Sequence, residues 1–323
     1  MTTPRLSVVI PTRNPHRGRL AEVLAGLNRQ TLPAAQWEFC LVDNGSSPAL
    51  LAEDLARLTV AAHIVREEEP GLIAARLRGI AATCGEFLLF IDDDTIPADD
   101  LLAEAVAFME THPHVGTAGG KITPRFETSP PAWLHGAEWC LALRDNGEKS
   151  LEWFLGPEAI PFWTPIGAGL LARRAALVPG YSAHVASHRA AIMNNSWHGQ
   201  GCGGVEDKDL VLHCLRAGWS VAYAPRMVLT HIIPSSRLNR SKLERLIPTL
   251  ERMWMRTLHA HGLDLFPPIH PATLWPRQIK AWFAMRAWRT STARFQWLSS
   301  CGRLRGLADN YRSVPRYAAP FRS

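Results

Sequence analysis

Short apolar runs alternate with amphipathic stretches through the first part of the chain. Residues 6–10, 39–42 and 87–91 have the length and the β-favouring composition of buried strands. Between the first two runs, four apolar residues recur at helical spacing: Leu20, Val23, Leu24 and Leu27. Strands that alternate with helices are typical of βαβ units. The pattern therefore predicts an α/β fold with a Rossmann-like, mostly parallel central sheet flanked by helices.

Weaker patterns predict further elements. These are a short helix over 51–58, a strand near 63–65, a helix over 72–84 ended by Gly85, a helix after Glu206 ended by Gly218, and two short strands at 221–223 and 227–229. Proline and tryptophan are frequent over residues 121–200, where we expect irregular structure with short strands.

Three consecutive carboxylates, Asp92, Asp93 and Asp94, follow the last of the apolar runs. Open α/β sheets bind ligands at the carboxyl ends of their strands, and clustered oxygen donors suit Mg²⁺ or Mn²⁺. The helix that follows needs one N-cap, which Asp99 or Asp100 can supply. The triplet therefore predicts a metal or phosphate role.

Polar side chains also follow the first two predicted strands. Thr12 and Asn14 come after the first strand, and Asp43 ends the second. Parallel strands should bring these residues to the same sheet edge as the Asp triplet. Because Asp43 precedes Asn44 and Gly45, an Asx turn is a competing explanation for it.

Two glycines, Gly167 and Gly169, match the G-x-G-x-x-[GA] dinucleotide fingerprint. No opening strand precedes them and no acidic residue follows at the expected distance, so this function is disfavoured. We expect these glycines to allow a close approach of the backbone to a ligand, or close packing. No G-x-x-x-x-G-K-[ST] motif is present, which excludes a P-loop.

Composition indicates an ordinary folded protein. The chain has 323 residues, 47% of them hydrophobic, and its six cysteines form no CxxC pair. The N-terminal apolar run is too short for a secretory signal, and no stretch has the length that spans a bilayer. A cytoplasmic location is therefore expected.

Charge is divided unevenly along the chain. Residues 235–323 contain 16 Lys+Arg and 4 Asp+Glu, a net charge of +12, which leaves about −6 on residues 1–234. Aromatic residues accompany the cations, as at Trp275, Trp282 and Trp288. This basic helical extension fits peripheral binding to an anionic membrane surface, or packing back over the first domain with Trp in the core. Nucleic-acid binding is a third, disfavoured interpretation, because no recognised binding motif is present.

Six segments, taken in order, resemble the landmarks of glycosyltransferase family 2, which has a GT-A fold. They are VVIPTRN, LVDNGSS, PGLIAARLRGI, LFIDDDTIP, GGVEDKDLVLHCLRAG and VLTHIIP. The resemblance implies a catalytic domain over residues 1–234, with an acceptor region at about 121–200, followed by the extension at 235–323. Arg13 and Leu77 depart from the family's usual residues, which bears on nucleotide preference.

The resemblance also implies a nucleoside-diphosphate sugar donor, most often a UDP-sugar, and a Mn²⁺ or Mg²⁺ cofactor. Asp92 and Asp94 resemble the DxD pair, with Asp94 the more direct metal ligand, and His231 resembles a distal ligand. The residues implied in donor binding are Pro11, Thr12, Asn14, Asp43, Arg76, Asp92, Asp93, Gly167 and Gly169. Of these, Asp43 would contact the nucleobase. For His231 a structural role is the alternative, and for Arg76 a solvated position.

A general base is required because the acceptor hydroxyl is a weak nucleophile near neutral pH. Asp207 resembles the second residue of the family's Glu-Asp motif and is favoured as the base, with Glu206 as the alternate. Helix capping by Asp207 is the competing explanation. The resemblance implies inversion at the anomeric carbon and a glycan or lipid-linked acceptor. A non-catalytic sugar-nucleotide-binding protein is the alternative function.

Overall fold

The computed structural model describes residues 3–56, 58–156, 160–193, 205–311 and 316–317. The strands are β1 (Leu6–Thr12), β2 (Trp37–Asp43), β3 (Ala62–Arg66), β4 (Phe87–Phe90), β5 (Thr95–Pro97), β6 (Val115–Phe126), β7 (Leu151–Trp153), β8 (Leu170–Arg173) and β9 (Ser220–Ile233). The α-helices are α1 (Arg17–Asn28), α2 (Leu72–Ala82), α3 (Leu101–Thr111), α4 (Arg174–Met193), α5 (Glu206–Arg216), α6 (Arg240–Ala260), α7 (Leu274–Ala284) and α8 (Ser291–Tyr311).

All nine strands of the described residues form one mixed sheet. Its order is β3-β2-β1-β4-β8-β6-β9-β5, and β7 pairs with residues 221–223 in the N-terminal part of β9. The first four strands are parallel, as predicted, and so are β6 and β9. The prediction of a mostly parallel sheet needs correction in the second half, because β8 runs antiparallel to both of its neighbours and β5 and β7 run antiparallel to β9.

Helices cover both faces of the sheet, and side chains alternate between two cores. In β1, Leu6, Val8 and Ile10 pack with α1 and α3, whereas Val9 packs with α2, α4 and α5. Because successive strand residues point to opposite faces, a strand buried on both sides is apolar throughout. This explains why the uninterrupted apolar runs in the sequence identified the central strands correctly.

The region from residue 115 to 193 is more regular than the sequence indicated. It contains the twelve-residue strand β6 and the twenty-residue helix α4. The pair Pro179–Gly180 is typical of a turn. The sequence pattern therefore does not predict a helix that continues through it. The predicted helix over 51–58 is only a short 3₁₀ turn (Ala52–Leu55), and the two predicted strands after residue 220 are one strand, β9.

The extension after residue 234 packs against the rest of the chain. Helices α6 and α8 lie in close contact, since a Cβ on Gly302 would lie 2.4 Å from the backbone oxygen of Pro248. A small apolar cluster then joins both helices to the first domain; it contains Leu134, Ala137, Leu141, Ile233, Leu243, Ile247 and Phe295. Within the described residues, no helix is both long and apolar enough to cross a bilayer.

Candidate active site

A large cavity of about 1770 Å³ opens at the carboxyl ends of β1 and β4. Most of the site residues predicted from the sequence line it: Pro11, Thr12, Asn14, Arg76, Asp92, Asp93, Asp94, Gly167, Glu206 and Asp207. Three predicted residues, Asp43, Gly169 and His231, do not line it. The parallel strands therefore deliver the β1 end and the Asp triplet to one edge of the sheet, as expected.

The Asp triplet sits in a tight turn between β4 and β5. The Thr95 hydroxyl accepts a hydrogen bond from the N–H of Asp92 (3.1 Å) and donates one to its carbonyl oxygen (3.0 Å). β5 then pairs with β9, which places Thr95 opposite His231. On the other side, the Thr12 hydroxyl donates a hydrogen bond to the Asp93 carboxylate. The turn thus fixes all three carboxylates at the cavity wall.

The pKa values of the three carboxylates are shifted in different directions because their neighbours differ. Burial and the Asp94 charge raise the pKa of Asp92, and burial raises the pKa of Asp93 to about 6 against the opposing hydrogen bond from Thr12. Burial also acts to raise the pKa of Asp94, but His231 and Arg237 outweigh it and the pKa is lowered. Asp94 is therefore the carboxylate that stays ionised most readily.

The donor set around Asp94 fits a divalent cation. Its Oδ1 atom is buried and has no hydrogen-bond partner among the described residues, although His231 Nε2 lies 3.4 Å away. Arg237 Nη2 lies 3.2 Å from Oδ2, so one protein cation already faces the carboxylate. Two nearby aspartates with an unsatisfied buried oxygen match the hard-donor chemistry of Mg²⁺ or Mn²⁺.

His231 stands behind Asp94 and is 1% exposed. Its Nε2 atom also lies 3.1 Å from Arg237 Nη1, while Nδ1 is buried without a hydrogen-bond partner in the described part of the chain. The imidazole thus contacts Asp94 from the protein interior. Its direct contact with a metal stays a prediction.

Arg76 is a buried cation at the cavity wall. The side chain is 3% exposed, and its Nε and Nη1 atoms have no hydrogen-bond partner among the described residues. The guanidinium lies 5.7 Å from the centre of the Phe90 ring, and a Cβ on Gly167 would lie 2.3 Å from Nη2. The solvated alternative for Arg76 is therefore excluded, and the guanidinium keeps free donors for an anion.

Asp43 occupies a structural turn. Its carboxylate accepts hydrogen bonds from the N–H groups of Ser46 (2.8 Å) and Leu50 (3.2 Å) and from Arg66 Nη1 (2.8 Å). These contacts agree with the Asx-turn explanation, and they explain why the side chain is absent from the cavity wall. The neighbouring Asn44 lines the cavity instead.

Asn44 also fixes the loop before α2, a role that the sequence did not reveal. Its amide nitrogen donates to the carbonyl oxygens of Glu67 (3.1 Å) and Glu69 (2.6 Å), and its side-chain oxygen accepts from the N–H of Gly71 (2.8 Å). The end of β2 is thereby joined to the segment that starts the Arg76 helix.

Asp207 lies in the first turn of α5. Its Oδ2 atom accepts a hydrogen bond from the N–H of Gly167 (2.9 Å), and Oδ1 accepts one from the N–H of Lys208 (2.8 Å). Glu206 is more deeply buried, and only 5% of the residue is exposed to solvent. The glycine-rich sequence that precedes α5 lies within residues 194–204, which are outside the described residues.

Two basic side chains near Asp207 were not predicted from the sequence as site residues. Lys208 Nζ donates to Thr164 Oγ1 (2.6 Å), and burial lowers the pKa of this lysine to about 7 against the opposing charge of Asp207. Arg144 also lines the cavity. Burial lowers its pKa, against the opposing charge of Asp207. The EDKD sequence places Lys208 beside the predicted base, but no sequence pattern marks Arg144.

Comparison with known proteins identifies the family. The model of the family described as Glycosyl transferase family 2 matches residues 7–175, which is more than half of the chain. The chain belongs to glycosyl transferase family 2. A glycosyltransferase, AglE, of Haloferax volcanii is 30% identical over 135 residues, covering 36% of this chain and 43% of the relative.

A second curated relative matches over a longer stretch. An N-acetylglucosaminyltransferase of Azorhizobium caulinodans is 25% identical over 237 residues, covering 72% of this chain and 56% of the relative. The chain thus spans about half the length of these curated relatives.

Solved structures confirm the GT-A fold of this family 2 chain. Residues 1–349 of S. aureus TarS match with a TM-score of 0.50 at 14% identity, covering 95% of this chain and 91% of that one. GalNAc-T7, solved with UDP, GalNAc and Mn²⁺, matches with a TM-score of 0.55 at 14% identity, covering 96% and 57%. At this identity the likeness concerns the fold.

Proposed function

We propose that this chain is a metal-dependent glycosyltransferase that moves a sugar from a nucleoside-diphosphate sugar, with UDP-sugars favoured, to an acceptor hydroxyl. The observation that carries the proposal is that Asp94, Arg76 and Asp207 line one cavity. The names of the curated relatives and the UDP and Mn²⁺ in the GalNAc-T7 structure support this donor and cofactor class.

The leaving group sets the first requirement. Breaking the bond between the anomeric carbon and the diphosphate oxygen leaves negative charge on the diphosphate. Arg76 provides a buried guanidinium with unsatisfied donors, which strengthens an interaction with such an anion. Asp92 and Asp94 would hold the Mn²⁺ or Mg²⁺, with His231 behind them, and the ion would supply Lewis-acid stabilisation of the same charge.

The acceptor sets the second requirement. As the acceptor oxygen attacks the anomeric carbon, its proton passes to the Asp207 carboxylate, which Gly167 orients by its N–H. Attack from the face opposite the diphosphate inverts the anomeric configuration. Asp207 is preferred to Glu206 because Glu206 is almost completely buried. The products are the glycoside and the nucleoside diphosphate.

The cavity wall supports a position for the acceptor. Residues of the predicted acceptor region line it, including Trp139, Arg144 and Phe162, and so do residues of α6 and α8, including Lys242, Arg245 and Arg303. We therefore assign the donor and the base to residues 1–234 and propose that the extension at 235–323 completes the acceptor pocket for a glycan or a lipid-linked sugar.

The outer face of α7 supports a membrane-bound acceptor. Trp275, Ile279 and Phe283 follow each other at intervals of four residues and are 73%, 49% and 64% exposed. Lys280 and Arg286 are exposed on the same segment. Apolar side chains with interleaved cations suit the surface of an anionic bilayer, so we propose peripheral binding at the cytoplasmic face of a membrane.

Calorimetry with UDP-, GDP- and dTDP-sugars, with and without Mn²⁺, tests the donor assignment. We expect binding of one nucleotide class that requires the metal, turnover that stops in excess EDTA and returns with Mn²⁺, and a product with inverted configuration by NMR. Binding without turnover on any acceptor tested would indicate the non-catalytic alternative. Salt-dependent binding to DNA or RNA without any nucleotide-sugar binding would overturn the proposal.

A further inference from the structure

A second cluster of metal-ligating side chains lies outside the cavity. His184 of α4, Asp209 of α5 and His261, which directly follows α6, converge in the interior. Asp209 and His261 are 3% and 2% exposed, and none of the three residues lines the active-site cavity. Asp209 lies two residues after Asp207, which places the two carboxylates on nearly opposite sides of α5.

Both imidazoles direct the same nitrogen at one carboxylate. His261 Nε2 lies 2.8 Å from Asp209 Oδ1, and His184 Nε2 lies 3.3 Å from each carboxylate oxygen. One donor atom from each of the three residues lies within 4.8 Å of the others. Tetrahedral zinc with bonds of about 2.0–2.1 Å holds its ligand atoms roughly 3.3 Å apart. The separations of 2.8 and 3.3 Å between the carboxylate and the two imidazoles are close to this spacing.

The surroundings of the cluster also suit a bound ion. A buried carboxylate is costly unless a cation compensates it, and neither lysine nor arginine forms an ion pair with Asp209 among the described residues. The Tyr181 and Tyr317 rings lie 6.0 and 5.2 Å from the His184 ring and help to enclose it. His213, whose ring is 5.3 Å from that of His184, is close enough to provide a further donor after a small movement.

We propose that His184, Asp209 and His261 form a structural zinc site, separate from the metal site at the Asp triplet. Two imidazoles and one carboxylate are borderline donors of the kind that zinc prefers, unlike the all-oxygen donors that suit Mg²⁺. The ion joins α4, α5 and the end of α6. Because α5 also carries Asp207, the bound metal would hold the helix of the base against the C-terminal extension.

The chain offers two matched controls for a test. His259 pairs with Asp264, at 2.5 Å between Nδ1 and Oδ1, only two residues before His261. Asp94 lies at the other predicted metal site. Both His259→Gln and Asp94→Asn should leave the zinc cluster unchanged.

The first measurement is zinc content by mass spectrometry of the full-length protein after incubation with ZnCl₂ and gel filtration. We expect about one zinc per chain in the wild type and in both controls. His184→Gln and His261→Gln should retain less than about a tenth of it. Wild-type protein that retains no zinc would overturn the proposal, and so would cluster variants that retain as much zinc as the wild type.

Cobalt substitution gives a second measurement that does not depend on whether the glutamine variants fold. Wild-type protein loaded with Co²⁺ should show the intense visible absorption of a tetrahedral site, whereas the weak spectrum of octahedral aqueous cobalt would overturn the proposal. His184→Cys should keep the cobalt and add a thiolate-to-cobalt charge-transfer band, which a purely structural histidine would not produce.

Discussion

The backbone N–H of Gly167 donates a 2.9 Å hydrogen bond to the carboxylate of Asp207. The same glycine makes room for Arg76, because a Cβ at this position would lie 2.3 Å from Nη2. A single residue without a side chain therefore lies between the proposed base and the cation that faces the leaving group. This arrangement links the two halves of the proposed reaction.

Gly167→Ala should disturb both contacts at once. The added methyl group displaces the Arg76 guanidinium, so we expect nucleotide affinity to fall by about tenfold or more, as for a weakened charged hydrogen bond. Gly156→Ala is the matched control, because the nearest atom of the described residues to its Cβ would be 3.9 Å away. Calorimetric titration with UDP measures the effect, and equal affinity in the two variants would contradict the assignment.

Arg76→Met should weaken donor binding more selectively. Loss of a hydrogen bond to a charged group costs about 1.5–3 kcal/mol, which corresponds to roughly 10–150-fold in the dissociation constant of UDP. Arg78 lies on the exposed face of the same helix, so Arg78→Met controls for a general loss of positive charge. Similar losses in both variants would show that Arg76 acts only through the overall charge of α2.

Asp94→Ala and Asp207→Asn should each abolish transfer while the fold stays intact. The loss of a general base costs about 10²–10⁴-fold in rate, and Asp207→Asn should leave nucleotide binding nearly unchanged. Release of nucleoside diphosphate measures turnover, and circular dichroism monitors folding. Asp145→Asn, on an exposed loop, is the control. Substantial transfer by either site variant would place the chemistry elsewhere.

Lys208 should make stability depend on pH. Burial lowers its pKa to about 7, against about 10.4 in an unfolded chain. Between these values the unfolded state binds a proton that the native state lacks, so the free energy of unfolding rises with pH. The slope of the free energy of unfolding against pH is at most about 1.4 kcal/mol per pH unit for one group. It falls to zero below about pH 7, where both states bind the proton.

Urea unfolding at pH 7 and pH 9 measures that contribution. Wild-type protein should gain stability relative to Lys208→Met as the pH rises. Lys242→Met, on an exposed position of α6, should follow the wild type. The same pH dependence in wild type and Lys208→Met would mean that Lys208 keeps an ordinary pKa.

The exposed face of α7 should bind anionic vesicles. Transfer of a large apolar side chain out of water is worth about 1.5–3 kcal/mol, so the double change Trp275→Ser and Phe283→Ser should reduce binding more than tenfold. Phe154→Ser removes a similarly exposed ring from another part of the surface and is the control. Sedimentation with phosphatidylglycerol vesicles measures binding, and unchanged sedimentation of the double variant would exclude this surface.

The sequence predicted the parts of the structure that are governed by local patterns. Fully buried strands such as β1 and β4 are uninterrupted apolar runs, and their ends locate Thr12 and the Asp triplet without further information. The sequence could not predict which way β8 runs, because its four residues carry no signal of strand direction.

Side-chain partners were the harder part of the site. Asp43 and Asn44 are adjacent in the sequence, yet only their hydrogen bonds show that the first closes a turn and the second reaches the cavity wall. Arg144 enters the site from a loop between β6 and β7, where no periodicity restricts its position. The cluster of His184, Asp209 and His261 could not be predicted from the sequence, because its members lie far apart along the chain.

The change of charge near residue 234 does not coincide with an edge of the folded core. Ile233 and Leu141 share their apolar contacts with Ile247 of α6 and Phe295 of α8. A recombinant fragment that ended at residue 234 would leave these side chains facing water, together with the open side of the cavity. The boundary in charge is therefore a poor place to divide the chain, and the two regions are best expressed as one unit.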